Sequence, residues 1–359
     1  MDRLAHLLKE HYVNFPDMEV QDAVKFLYQH HMGPGHLIAD EHTALARLKE
    51  EWDAVSPATD VPLSASLGNS LCRLNLALCK AIGLSYRTVA RLFSLTSNQI
   101  APNPTALKNS LDTIYSLPFP REEVARYLTH YRAQGCPMVG HSDRFRRCYS
   151  PSYRITSEYY VNIIPVLAAI DKAMTEHPKL RVAIDGPCAS GKSTLGAALS
   201  EIYNCPLFHM DDFFLRPEQR TIQRLAEPGG NVDYERFSRE ILSPLLADQP
   251  VQYKPWLCHS RSFGPEVTVP PAPLTVVEGC YCLHPDLRNA FHLRIWLETP
   301  WSVRRQRLLD RGGPECLARF EQQWIPLEYK YFEYYHIAHI CHVHLSIPLL
   351  FSSKVENTD

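Results

Sequence analysis

Apolar residues recur every three or four positions along the first half of the chain, which is the spacing of an amphipathic helix. Around Val24, for example, Leu27 and Tyr28 fall on the same helical face. The pattern predicts helices at Leu4 to Tyr12, Val20 to His31, His42 to Val55, Ser70 to Ile82, Tyr86 to Leu95, Thr105 to Leu117, Glu122 to Gln134 and Thr156 to Glu176. We therefore expect an all-α domain over residues 1–176.

A different pattern begins at Arg181, where short apolar runs alternate with helix-period segments. The runs are residues 181–185, 205–210, 274–279, 291–298 and 339–347. Strands that alternate with helices are typical of βαβ units around a mainly parallel sheet, whose ligands bind at the carboxyl ends of the strands. We expect an α/β domain over residues 177–351, with a mainly parallel sheet flanked by helices, and a polar tail over residues 352–359.

A segment between the first of these strands and the next helix fits the phosphate-binding pattern G-x-x-x-x-G-K-[ST]. Gly186 and Gly191 allow backbone torsions through which successive N–H groups can point at phosphate oxygens. The N-terminus of the following helix adds the positive end of its dipole. Lys192 would hold the β- and γ-phosphates, and the Ser193 hydroxyl would join the Mg²⁺ shell. The predicted nucleotide-binding residues are Gly186, Pro187, Cys188, Ala189, Ser190, Gly191, Lys192, Ser193 and Thr194.

Two further strands deliver carboxylates to the same predicted edge of the sheet. Glu278 ends one of them, a position suited to a carboxylate of the magnesium shell. Asp211 and Asp212 follow the other, where one carboxylate can accept the proton of an acceptor hydroxyl. We expect the second carboxylate of this pair to cap the next helix.

Composition narrows the classes of partner. The 37 basic and 39 acidic side chains leave a formal net charge of −2, which disfavours electrostatically driven binding to nucleic acid or membranes. There is no apolar run of about eighteen residues for a membrane span, and no signal-peptide pattern at the N-terminus. The 11 scattered cysteines are typical of reduced thiols. We therefore expect a cytoplasmic protein that acts on a small molecule, in an oligomeric state that stays open.

Several ordered segments of the second half resemble a known family. Beside the phosphate loop they are HMDDFFLRP (209–217), PGGNVDYERF (228–237), VEGCY (277–281), WSVRRQRLLDRGG (301–313) and WIPLEYKYFEYY (324–335). In this order they resemble the uridine kinase and phosphoribulokinase branch of the P-loop small-molecule kinases. The resemblance covers about half of the chain, roughly from Arg181 to Pro348. It implies a P-loop kinase fold that uses ATP and Mg²⁺.

The resemblance also implies roles for individual carboxylates. It assigns the catalytic base to Asp211, which joins Ser193 and Glu278 in the candidate magnesium site. It gives the role of holding an acceptor hydroxyl to Asp233. Here Tyr234 follows that residue, whereas nucleoside kinases of the family usually have a proline-containing turn at this point.

The arginine-rich segment at 301–313 resembles the mobile lid of the family. Arg307 and Arg311 are the catalytic candidates, because an arginine that arrives on closure can neutralise charge on the transferred phosphoryl group. Arg304 and Arg305 lie in the same segment. The alternative is a solvated basic stripe, which would have the same spacing.

A further segment bears on the identity of the acceptor. Residues His259 to Arg261 (HSR) resemble a nucleoside-pocket segment, so His259 and Arg261 are candidate substrate residues. Tyr253 and Trp256 lie upstream as rings on which a base could stack.

Together these features predict an ATP-dependent kinase that transfers the γ-phosphoryl group to an alcohol group of a small metabolite, with a nucleoside as the first guess. The alternative is an ATP-dependent regulatory switch or binding protein, in which hydrolysis is coupled to the helical domain. A GTPase form of that switch would carry an N-K-x-D segment, and the sequence has none. The acceptor segment around Asp233 favours the kinase.

The helical domain carries a group of polar residues without an assigned chemistry. His36, Arg73, His141, Arg144 and Arg147 could form an anion site, for a second ligand or for the kinase substrate. The alternative is that these residues cap helices and add surface charge. The sequence leaves both interpretations open.

Overall fold

A computed structural model describes residues 3–34 and 41–346 of the chain. The chain divides into two compact units, Met1–Ala168 and Ala169–Asp359, and each is described by itself. His36 and the predicted tail at 352–359 lie outside the described residues. Across the ranges that are described, no helix is both long enough and apolar enough to cross a membrane.

The N-terminal unit is built mainly of helices, in agreement with the sequence pattern. The helices are α1 (Arg3–Asn14), α2 (Val20–Met32), α3 (Glu41–Ala54), α4 (Leu76–Ala81), α5 (Tyr86–Gln99), α6 (Pro104–Ser110), α7 (Arg121–Ala133), α8 (Asp143–Tyr149), α9 (Glu158–Asn162) and α10 (Ile164–Glu176), with a 3₁₀ helix at Leu111–Ser116. Leu8, Phe26 and Phe145 belong to its buried core. Helix α10 runs across the division at residue 168, which lies before the boundary that the sequence predicts at residue 176.

The structure corrects the prediction of an all-α domain in one region, where three strands form an antiparallel sheet. They are β1 (Ser64–Gly68), β2 (Leu71–Asn75) and β3 (Tyr153–Ser157), in the order β1-β2-β3. Asn69 and Ser70 both have positive φ, 54° and 57°, which is the backbone of a two-residue turn that matches the twist of paired strands. The single helix predicted from Ser70 to Ile82 is therefore strand β2 followed by helix α4.

The C-terminal unit contains a five-stranded parallel sheet with helices, which confirms the predicted α/β fold. The strands of the whole unit, including those outside this sheet, are β4 (Leu180–Asp185), β5 (Leu207–His209), β6 (Val251–Tyr253), β7 (Trp256–Leu257), β8 (Ser262–Phe263), β9 (Val267–Val269), β10 (Leu274–Glu278), β11 (Leu293–Glu298) and β12 (Val343–Ser346). The parallel sheet has the order β12-β11-β4-β10-β5. Because β4, β10 and β5 are parallel neighbours, Asp185, Glu278 and His209 reach the same edge of the sheet.

Helices and two small hairpins complete this unit. The helices are α11 (Lys192–Tyr203), α12 (Ile222–Ala226), α13 (Tyr234–Phe237), α14 (Ser243–Leu246), α15 (Trp301–Arg319) and α16 (Ile325–Tyr334). Helix α15 is kinked at Gly312 and Gly313, whose torsions are not helical. The hairpins pair β6 with β9 and β7 with β8. Strand β4 lies at the centre of the sheet, with Val182, Ala183 and Ile184 fully buried.

Asn75 marks the point where strand β2 gives way to helix α4, and its substitution tests this correction. Its side-chain oxygen accepts hydrogen bonds from the backbone N–H groups of Ala77 (2.9 Å) and Leu78 (3.4 Å). We expect Asn75→Ala to lower the free energy of unfolding of the N-terminal unit by about 1 kcal/mol in urea denaturation followed by circular dichroism. Asn75→Asp keeps an acceptor and should stay close to the parent protein. Equal stability of the two variants would contradict this role.

Candidate active site

The phosphate loop leaves the centre of the parallel sheet, between strand β4 and helix α11. Three of its residues have positive φ: Gly186 (150°), Ala189 (56°) and Gly191 (105°). A Cβ atom at Gly186 would collide with the backbone carbonyl oxygen of Leu297, so the close approach to strand β11 requires glycine there. The loop is therefore formed by the local backbone that the sequence pattern predicts.

Asp185 anchors the start of the loop. Its carboxylate accepts hydrogen bonds from the backbone N–H groups of Gly186 (2.7 Å) and Leu283 (3.2 Å) and from the Tyr331 hydroxyl (2.8 Å). Burial raises the pKa of Asp185 to about 6, even though these hydrogen bonds and Lys192 lower it. The residue before the loop thus links it to the turn after strand β10 and to helix α16.

Two arginines of helix α15 hold the carbonyl groups of the loop. Arg304 Nε donates to the Cys188 oxygen at 2.8 Å, and Arg307 Nη1 donates to the oxygens of Ala189 (2.9 Å) and Ser190 (3.1 Å). Satisfying these carbonyl groups stabilises the loop conformation without using its N–H groups. Arg307, predicted to close over the phosphates, is here a residue that positions the loop.

Lys192 is buried and folds back across the loop. Its ammonium group donates to the backbone oxygens of Gly186 (2.8 Å) and Pro187 (3.0 Å). Burial lowers the pKa of Lys192, but the groups around it, with Glu328 and Glu278 among them, raise it more, so the net pKa is above the usual value. Lys192 is therefore a positive charge fixed at the loop.

The acidic side chains at the edge of the sheet form a coupled group. Glu278 Oε1 is 2.5 Å from His209 Nδ1, and this contact raises the pKa of His209. Asp211 is exposed to the cavity, yet the protein around it and the nearby Glu278 raise the pKa of its carboxyl group, while Lys192 lowers it. A raised pKa makes Asp211 a stronger base than an isolated aspartate.

These groups meet in a cavity of about 490 Å³ in the C-terminal unit. From the phosphate loop and its helix it is lined by Cys188, Ala189, Gly191, Lys192, Ser193 and Thr194. Asp211, Glu278 and Glu328 supply its acidic side chains, whereas Arg220, Arg261, Arg311 and Arg319 supply its basic side chains. Phe214, Tyr281, Phe320 and Trp324 add aromatic rings. The cavity therefore combines a phosphate-binding backbone with both signs of charge.

The donors predicted for magnesium lie together on this cavity. Ser193, Asp211 and Glu278 all line it, and their hydroxyl and carboxylate oxygens are the ligands that Mg²⁺ prefers. Within the described ranges, no three His, Cys, Asp or Glu side chains form a metal-binding group of their own. This set fits an ion that binds one or two carboxylates and takes its remaining ligands from nucleotide phosphates and water.

Three predicted substrate residues do not reach the cavity. Asp233 caps helix α13, where one oxygen accepts from the Arg236 N–H (3.0 Å) and the other from Gln219 Nε2 (2.7 Å), so its buried carboxylate is already in use. Tyr253 is buried, and its hydroxyl donates to Asp212. His259 lies exposed in the turn between β7 and β8 and is absent from the cavity wall.

The structure also brings in residues that the sequence analysis missed. Asn231 lines the cavity, is 4% exposed, and its side-chain oxygen has no hydrogen-bond partner in the part of the chain described. Glu328 accepts a hydrogen bond from the Cys188 backbone N–H at 2.9 Å, inside the phosphate loop. Arg319 follows the kink of helix α15. The segments PGGNVDYERF and WIPLEYKYFEYY contain the first two, but no pattern distinguishes them from their neighbours.

Solved structures similar to the chain include several that are described as kinases. A protein from Bacillus stearothermophilus described as a possible uridine kinase is 19% identical over 52% of this chain and 99% of that chain, with a TM-score of 0.42. D-glycerate 3-kinase from Cryptococcus neoformans var. grubii is 17% identical over 45% of this chain and 84% of that chain, with a TM-score of 0.35. No protein-family model and no curated protein matches the sequence.

Proposed function

We propose that the C-terminal unit is an ATP-dependent kinase that transfers the γ-phosphoryl group to a hydroxyl group of a small metabolite, with a nucleoside as the first candidate. The observation that carries this proposal is the shared cavity of Lys192, Ser193, Asp211 and Glu278. A phosphate-binding loop, magnesium donors and a basic carboxylate in one cavity are what phosphoryl transfer to an alcohol needs.

Asp211 is the proposed general base. It would accept the proton of the acceptor hydroxyl as that oxygen bonds to the γ-phosphorus and the bond from the phosphorus to the β-phosphate oxygen breaks. ADP and the phosphorylated metabolite are then the two products. Mg²⁺, held by Ser193 and Glu278, would neutralise charge on the phosphates. The raised pKa of Asp211 favours this role, because a stronger base takes the proton more readily.

Asn231 supports an acceptor that carries hydroxyl groups. Its buried side-chain oxygen has no partner among the residues described, and a buried acceptor is costly unless a donor reaches it. A substrate hydroxyl can supply that donor. The rings of Phe214, Tyr281 and Trp324 on the same cavity suit a planar base, which is why a nucleoside is the first candidate.

Arg311 and Arg319 are the proposed lid arginines. Both line the cavity, one before and one after the kink of helix α15 at Gly312 and Gly313. A bend at this point lets the two parts of the helix face the cavity from different directions. Charge on the transferred phosphoryl group would then be neutralised when the segment closes.

Replacement of Asp211 tests the base. We expect Asp211→Asn to lower kcat by about 10²–10⁴-fold, because an amide cannot accept the proton, with little change in affinity for ATP. The measurement is a metabolite panel incubated with ATP and Mg²⁺ and read by mass spectrometry for the addition of one phosphate group, followed by kinetics on the hit.

Asp212 provides the matched control for that experiment. Its carboxylate accepts a hydrogen bond from the Tyr253 hydroxyl and does not line the cavity, so Asp212→Asn should retain most of the activity. Equal turnover in Asp211→Asn and the parent protein would remove Asp211 from the base role. Release of ADP and inorganic phosphate without any phosphorylated metabolite across the panel would refute the kinase itself.

The negative charge of Glu328 should oppose binding of the nucleotide phosphates, so its removal should strengthen that binding. Its buried carboxylate faces the phosphate loop, so neutralising it should favour an anion there. We expect Glu328→Gln to lower the Kd for ATP about tenfold in calorimetric titration. Glu333→Gln, an exposed change of the same charge on helix α16, should leave the Kd unchanged. Unchanged or weaker binding in Glu328→Gln would contradict this prediction.

A further inference from the structure

A second cavity, of about 450 Å³, lies within the N-terminal unit. Its walls are mostly apolar and include Phe15, Val61, Phe145 and Tyr149. Arg73, in the middle of strand β2, is the one charged side chain among the described residues that line it. This cavity takes no part in the proposed phosphoryl transfer, so binding of a ligand to it does not depend on the proposed kinase activity.

The polar residues that the sequence analysis singled out in this half separate into two groups. Arg73 and His141 are buried and belong to one hydrogen-bonded group beside the cavity. Arg144 and Arg147 are exposed, and Arg144 forms a surface ion pair. His36 lies outside the described residues. The anion-site interpretation therefore narrows to Arg73 and its neighbours, and the surface-charge interpretation fits the other two arginines.

Arg73 is 6% exposed, and in the part of the chain that the structure describes its guanidinium group is hydrogen-bonded to neutral side chains. Nε donates to Gln29 Oε1 at 2.8 Å, and Nη1 lies 3.1 Å from His11 Nε2. Burial and Arg73 lower the pKa of His11, so the imidazole is neutral and accepts this hydrogen bond. The rings of Tyr153 and Phe26 lie against the guanidinium at 4.8 and 5.6 Å. In the described part of the chain, the buried Nη2 atom has no hydrogen-bond partner.

The nearby carboxylate of Asp22 is already bound elsewhere. Oδ1 accepts from His141 Nδ1 (2.9 Å) and the Ser142 N–H (3.0 Å), and Oδ2 accepts from the Ser142 hydroxyl (2.7 Å) and the Glu19 N–H (3.0 Å). These four contacts use the acceptor sites of a carboxylate. Asp22 therefore helps to balance the charge of Arg73 through space without binding it.

Hydrogen bonds among Asp22, His141, Tyr153 and Gln29 hold the cavity wall beside Arg73 in place. Burial lowers the pKa of His141 to about 4, so this ring is neutral, and with Nδ1–H donated to Asp22 its Nε2 accepts the Tyr153 hydroxyl at 2.7 Å. Gln29 Nε2 donates to the same hydroxyl at 3.1 Å. The His141 ring also stacks on Phe145, with centroids 4.2 Å apart. Such a wall can receive a ligand with little rearrangement.

We propose that this cavity binds a small organic monocarboxylate. Its carboxylate lies at the Arg73 guanidinium group, and its apolar body lies against Phe15, Phe145 and Tyr149. A buried guanidinium without an anion is unfavourable, and a carboxylate matches its planar donors. A monoanion with an apolar body suits the site better than inorganic phosphate, because a single arginine that already donates to Gln29 and His11 offers too few donors for phosphate in a mostly apolar cavity.

The test uses the full-length protein and simple probes. Benzoate and hexanoate are titrated by calorimetry and by thermal denaturation, with benzamide as the uncharged counterpart of benzoate and inorganic phosphate as the second anion. We expect at least one carboxylate to bind and to raise the unfolding temperature of the N-terminal unit, whereas benzamide and phosphate do neither. Absence of binding by both carboxylates overturns the proposal, and phosphate binding as tight as that of the carboxylates overturns the ligand class.

Variants connect the binding to Arg73. Arg73→Met should weaken carboxylate binding at least about tenfold, because it removes the charge-assisted hydrogen bonds to the carboxylate. Arg147→Met removes the same charge from an exposed position and should bind like the parent protein. Unchanged affinity in Arg73→Met would overturn the proposal.

A second variant keeps the test decisive if Arg73→Met does not fold. Ala65 lines the cavity on strand β1 directly opposite Arg73. Ala65→Glu would place a carboxylate beside the guanidinium, so it should raise the unfolding temperature above that of Ala65→Gln and abolish carboxylate binding. An Ala65→Glu protein that is no more stable than Ala65→Gln, or that still binds the probe as the parent does, would contradict the proposed site.

Discussion

The backbone of the phosphate loop is the constraint on which the organisation of the C-terminal unit depends. Its positive φ angles at Gly186, Ala189 and Gly191 separate the carbonyl groups from the N–H groups, and buried carbonyl groups require donors. Arg304 and Arg307 supply those donors from helix α15. The first arginines of helix α15 therefore stabilise the loop. The arginines that line the cavity, Arg311 and Arg319, lie further along the helix.

The second feature of this unit is that nearby acidic groups offset the charge of the buried Lys192. Lys192 is buried, and a buried ammonium group is tolerated only where anionic groups lie close by. Asp185, Glu278 and Glu328 lie near enough to raise its pKa, and each helps to offset the loss of water around the cation. A nucleotide would bring further negative charge into this group.

Local sequence patterns predict the features that depend on residues close together in the chain. They do not predict features that depend on contacts between distant residues, such as the pairing of strand β2. The loop and the strand ends follow from contiguous signals, so Lys192 and Glu278 meet as expected. The family resemblance assigns the acceptor to Asp233, and in the structure this residue caps helix α13 while Asn231 lines the cavity. The apolar spacing at Ser70 to Ile82 predicts a helix, but β2 forms a strand there because it pairs with β3, which is more than 70 residues away along the chain.

The two cavities differ in the charges that surround their buried cation. Acidic side chains surround Lys192, whereas the hydrogen-bond partners of Arg73 among the described residues are neutral. Lys192 shares its surroundings with several acidic groups, so its charge is balanced within the chain. Arg73 is bonded to neutral partners, while the carboxylate of Asp22 is occupied by other donors. Enclosing such a charge costs roughly several kcal/mol, which an apolar residue at the same position would avoid. An anion that enters the cavity, as we propose, would recover part of that free energy beyond what Asp22 supplies through space.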